Sequence, residues 1–131
     1  MTLSRFLSVT VISASLASCA TPYEQSVSIA PLNETTYEFI TKVSVHTNKT
    51  IRNNYSRLAS AESCLAKGFS HFSELSKEEG IHLASFSFFE TYKVRNVLRV
   101  KYYRQDEQNR PASALECQAI YNALAPKYIK P

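Results

Sequence analysis

The chain has 131 residues, with 15 Lys and Arg against 11 Asp and Glu, a formal net charge of +4 and 44% hydrophobic residues. That length holds one small domain. Gly68 and Gly80 are its only glycines, which excludes a phosphate-cradling glycine loop.

In chain order, Met1 to Arg5 carries one positive charge, and Phe6 to Ser15 is an apolar run interrupted by serines and a threonine. This is the layout of a secretory signal peptide. A bilayer span takes about 20 apolar residues, so the run is too short to cross one. Leu16-Ala17-Ser18 then leads directly into Cys19. The order of apolar run, small residues and thiol resembles the lipobox of bacterial lipoproteins. The resemblance implies that Leu16, Ala17 and Ser18 are read by the signal peptidase. Cys19 would then become the first mature residue, lipidated on its sulfur and acylated on its nitrogen. A thiolate is the side chain nucleophilic enough to take the lipid, and several chains together anchor firmly. Ala20 stands where an aspartate would retain such a protein in the inner membrane. The expected address is therefore the outer membrane, facing the periplasm, with a net charge of about +3 once Arg5 is removed.

Residues 1–18 are thus expected as signal peptide, 19–36 as lipidated cysteine and flexible tether, and 37–131 as the folded domain. The tether carries Pro22 and Pro31 and no sustained period. From Tyr37 the period is two. Tyr37, Phe39, Val43 and Val45 share one parity, and Glu38, Lys42, Ser44 and His46 share the other, so a half-buried strand is predicted with Ile40 as its exception. Ile51, Tyr55, Leu58, Ala61 and Leu65 then mark one face of a helix closed by Gly68. Phe69–Leu75 reads as a short strand and Lys77–Gly80 as a solvated turn. Leu83–Tyr92 and Val94–Tyr103 are both rich in β-formers. Asp106–Pro111 reads as a loop. Pro111 is expected to open a last helix carrying Ala114, Cys117, Tyr121 and Leu124 on one face, with Pro126 ending it. The order strand, helix, three strands, helix predicts an α+β two-layer sandwich, a mainly antiparallel sheet with both helices on one face.

Cys19-Ala-Thr-Pro-Tyr23 and the segment Asn54 to Phe72, in which Arg57, Ala59, Glu62 and Leu65 precede Gly68 and an aromatic strand, carry a second resemblance. They are similar to a group of small proteobacterial lipoproteins of unknown function. The likeness implies the same fold and address and brings no activity with it.

Cys64 and Cys117 are the remaining thiols. An even pair in an exported domain favours a disulfide; the alternative is two buried free thiols. His46, His71 and His82 fall on separate elements without metal-ligand spacing, so no metal and no cofactor is expected. Glu78-Glu79 and Asp106-Glu107 read as solvated carboxylates. No nucleophile, base and orienting group share a motif, so no enzyme is expected. In the second long strand Val94, Leu98, Val100 and Tyr102 share one parity and Arg95, Arg99, Lys101 and Tyr103 the other, with Val97 breaking the polar row. That row is either a partner-binding face for envelope carboxylates or phosphates, or a solvated surface that discourages aggregation. Nucleic acid and small-molecule substrates are not expected partners. The resulting expectation is a non-enzymatic outer-membrane lipoprotein whose periplasmic domain binds an envelope partner or supports an envelope assembly. The alternative is a periplasmic inhibitor or immunity protein against a cell-wall-degrading enzyme.

Overall fold

The structure, a computed structural model, describes residues 21–86 and 89–130; the expected signal peptide and Cys19 lie outside them. After a single 3-10 turn at Tyr23–Gln25 come β1 (Val27–Pro31), β2 (Thr36–Ser44), α1 (Lys49–Ala66), β3 (His71–Phe86), β4 (Phe89–Tyr103), β5 (Leu115–Glu116) and α2 (Cys117–Tyr128). The strands form one sheet in the order β1-β2-β4-β3-β5, every neighbouring pair antiparallel. Both helices lie on one side of it, giving the α+β architecture and order of elements that the hydrophobic periods predict.

α1 starts where Asn48 caps it, its Oδ1 accepting from the Ile51 N–H at 2.9 Å. It stops at Gly68, whose φ of +83° favours a residue without Cβ. The Gly68 and Phe69 N–H groups donate back to the Leu65 and Cys64 carbonyls, the paired closure that satisfies a helix end. Tyr55, Leu58, Ala59, Ala61 and Cys64 of α1 are buried, and so are Phe39, Phe72, Leu98, Val100 and Tyr102 of the sheet. Small residues at Ala59 and Ser60 let the helix approach closely enough for the Tyr102 hydroxyl to donate to the Ser60 carbonyl at 2.8 Å.

α2 runs antiparallel to α1. Cys117 at its start is disulfide-bonded to Cys64, with Cα atoms 6.3 Å apart. Tyr128 at its end packs edge-on against Tyr55 and accepts from the Asn54 side chain. No helix among the described residues is long and apolar enough to cross a membrane.

Five local expectations are corrected. Residues 27–31, expected as tether, form β1, because Val27 and Ile29 share the helix-side parity of Thr41 and Phe39 opposite them. Pro31 is accommodated because β1 is an edge strand, where a missing N–H is tolerated. Lys77–Gly80, expected as a turn, lies inside β3. The charges there alternate between two faces, and Glu79 on the helix side pairs with Arg52 of α1 at 2.8 Å. The hairpin joining the last two long strands follows the pair Phe86 and Phe89, rather than falling between Tyr92 and Val94. Finally, Pro111 closes a turn with Ala114 instead of opening α2. The two residues of β5 intervene, and Pro126 sits within the last turn of α2 instead of ending it.

Candidate functional site

The face of the sheet turned away from the helices is built from one parity of each long strand. β4 contributes Arg95, Val97, Arg99, Lys101 and Tyr103, while Val94, Leu98, Val100 and Tyr102 are buried on the helix side. The sequence alternation and the structure therefore agree on which way this strand faces. Cross-strand register supplies the neighbours: Lys42 of β2 lies opposite Arg95, Ile40 opposite Val97 and Glu38 opposite Arg99. From the other side Gly80, Glu78 and Ser76 of β3 lie opposite the same three residues.

These neighbours divide the basic row. Arg99 Nε donates to Glu38 Oε2 at 2.8 Å, and that carboxylate raises the pKa of the guanidinium. Lys101 lies over the Tyr103 ring, 5.5 Å from its centroid. Tyr103 itself is buried, so it serves this face as a platform more than as a free hydroxyl. Val97, which interrupts the polar row, is only 5% exposed, shielded beside Ile40 in the middle of the face. Arg95 and Lys42 are different. Both are exposed, they lie directly opposite each other, and neither forms an ion pair among the described residues. Like charges opposite each other destabilise an antiparallel pair, typically by a few tenths of a kcal/mol up to about 1 kcal/mol. Lys42 was visible in the sequence as a member of the polar parity of β2; its meeting with Arg95 depends on register, which no single strand discloses.

At the far end of the same face His71 is held among Ser70, Arg110 and the β5 backbone. Ser70 Oγ lies 2.7 Å from His71 Nδ1, and the Arg110 guanidinium reaches both ring nitrogens, 2.9 Å from Nδ1. Burial first, then the adjacent Arg110 charge, holds the pKa of His71 below its ordinary value. A neutral ring beside a guanidinium is a structural acceptor. His71 and His82 lie on one strand, separated by about 35 Å of β-rise. His46 follows β2 in an exposed position. Among the described residues no three His, Cys, Asp or Glu converge as metal ligands. Glu78 and Glu79 do not share a face, and Asp106 and Glu107 lie in the loop after β4, where Glu107 Oε1 accepts from the Arg104 N–H.

A groove of about 600 Å³ lies between the N-terminal turn and α1 and is lined in part by Tyr23, Val27, Ile29, Ala59, Glu62 and Lys67. The Tyr23 hydroxyl donates to Glu62 Oε1 at 2.7 Å. Burial and that carboxylate push its pKa well above the usual tyrosine range, so it remains a donor. No period in the sequence marks this groove, because one wall is the segment expected as tether.

Fold and face together define a two-layer α+β sandwich, stapled by one disulfide through its helical layer and open on the other side of its sheet. No protein-family model, curated protein or solved structure matches the chain.

Proposed function

We propose that this is a non-enzymatic lipoprotein of the outer membrane whose periplasmic domain binds an anionic envelope partner through the open face of its sheet. The observation that carries the reading is the pair Lys42 and Arg95, two exposed cations held opposite each other and outside every ion pair among the described residues. A like-charge pair costs the fold a little and serves an incoming anion well. Arg95 offers a bidentate fork for a carboxylate or phosphate, and Lys42 adds a point charge beside it. The anchor rests on Leu16-Ala17-Ser18-Cys19, and the exported address suits the Cys64–Cys117 bridge.

The test is retention of the full-length protein by isolated cell walls across a salt series. Wild type should be retained at low salt and released as salt rises, since screening acts on exposed charges. Lys42→Glu with Arg95→Glu should lose that retention while folding normally, because exposed charges contribute little to stability. Equal retention of the two proteins at low salt would leave this face without a binding role.

A further inference from the structure

β1 is an edge strand, and the groove beside α1 runs along it. The Ser26 carbonyl accepts from the Lys42 N–H, and the Leu32 N–H donates to the Thr36 carbonyl. With Ser28 opposite Ile40 and Ala30 opposite Glu38 between them, the even-numbered residues turn their backbone groups toward β2. Alternation along an antiparallel strand then turns those of Val27, Ile29 and Pro31 outward. No strand among the described residues pairs with that edge. A row of unpaired N–H and C=O groups is a template for a further strand. Pro31 supplies only a carbonyl, so Val27 and Ile29 are the two residues of β1 that offer both groups.

The side chains of Val27 and Ile29 line the groove, and Ile29 is 48% exposed. The two ends of the groove carry opposite charge. Glu24 stands in the turn before Val27, and Glu62 accepts from Tyr23 of the same turn. Lys67, at the other end, lies over the ring of Tyr37, the residue opposite Pro31. None of Glu24, Glu62 and Lys67 forms an ion pair among the described residues.

We infer that the occupant of this edge is a second copy of the chain, joined β1 to β1 about a two-fold axis at Ser28. Antiparallel pairing of Val27 with Ile29 of the second copy, and of Ile29 with Val27 of the second copy, makes four backbone hydrogen bonds and leaves neither residue half-paired. Pro31 and the turn fix that register. A slip one way sets the missing N–H of Pro31 against a carbonyl of Val27 or Ile29. A slip the other way calls on Gln25, whose N–H already donates to the Pro22 carbonyl. The two-fold axis also brings the acidic end of each groove to the basic end of the other. A foreign peptide would have to carry both charges with it; a second copy supplies them by symmetry. The joined sheets present their open faces on one side, with the two Lys42–Arg95 pairs on it and their β4 strands five strand spacings apart, about 24 Å. The pairing does not depend on what that face binds.

In this register Ser28 meets Ser28 of the second copy on the open side, a pair without backbone bonds whose Cα atoms lie about 4.5 Å apart, within disulfide reach. Ala30 shares that side but stands opposite Ser26 of the second copy, which leaves the two Ala30 residues about 13 Å apart. Ser28→Cys and Ala30→Cys are each made in the full-length protein and oxidised, both purified and in cells, with wild type as the background for Cys19. On non-reducing gels Ser28→Cys should give about tenfold more homodimer than Ala30→Cys or wild type, as the disulfide geometry requires. Adding Ile29→Pro removes an outward N–H without touching the β1–β2 ladder, on an edge where proline is tolerated, and should cut the Ser28→Cys dimer about tenfold. A thermal melt checks that this variant is folded; should it fail to fold, the comparison of positions 28 and 30 decides alone. Equal crosslinking at those two positions is random collision and overturns the pairing. A Ser28→Cys dimer unchanged by Ile29→Pro in the folded protein overturns it too. A mixed disulfide of Ser28→Cys with another protein, in place of the homodimer, gives the edge to that protein and overturns the second copy.

Discussion

At the scale of single residues, the open face shows how a row that looks uniform in sequence becomes unequal in space. Arg95, Arg99 and Lys101 share a parity, but Glu38 occupies Arg99 and Tyr103 supports Lys101, while Arg95 meets only another cation among its strand neighbours in β2. His71 illustrates the same dependence on surroundings. Its ordinary pKa of 6.5 is lowered in the fold, so the unfolded chain binds the proton more tightly than the native one. The stability contributed by neutral His71 is therefore fully present above pH 6.5 and is lost as pH falls from there toward the lower folded value. His71→Gln, which cannot titrate, should show a shallower fall in Tm than wild type through this window. Thermal melts in matched buffers would measure it, and parallel slopes would show that His71 does not protonate there.

At the scale of elements, what repeats locally was legible and what depends on pairing was not. The period of α1, its closure at Gly68 and the alternation of β4 all follow from short-range sterics and burial, and the structure has them in those places. The turn between β3 and β4 was not legible, because no glycine or asparagine signal stands near Phe86 and Phe89 and their junction is set by register alone. Lys77-Glu78-Glu79 resembled a turn because the arginines that make a helix-side Glu79 and Glu74 acceptable lie on α1, far away in sequence. The helices, in turn, are tied by Cys64 and Cys117, which are separated by 53 positions in sequence. On the chain-entropy model a loop of this size stabilises by about 4 kcal/mol. The double variant Cys64→Ala with Cys117→Ala should melt well below wild type, with α2 the first element to lose its packing. Alkylation of the unfolded, unreduced wild-type chain should add no label at these two positions; labels on both would remove the bridge from the account.

At the scale of the whole molecule, the two sides of the sheet are given to different tasks. One side holds the core, the disulfide and the tyrosine contacts that join α2 to α1; the other remains open, with the opposed cations Lys42 and Arg95 toward one end and the buried His71 and Tyr103 at the other. The polarity has a direction, because Thr21 fastens the incoming chain beside Ser44 and Thr47, at the cationic end. A lipid on Cys19 would place that end nearest the bilayer, so that an anionic partner of Lys42 and Arg95 would be met close to the membrane. Cys19→Ala removes the acceptor thiol, and in the proposed pathway processing awaits lipid transfer. The variant should therefore accumulate as an uncut precursor in the inner membrane. Fractionation of cells expressing the two proteins, with the mass of each product, reads both consequences at once. A Cys19→Ala chain still cleaved after Ser18 and recovered with the outer membrane would sink the anchor, and with it the orientation assigned to the open face. Because β2 and α1 fasten residues 21–27 independently of any lipid, the variant should nonetheless fold, and its protease resistance should match that of wild type.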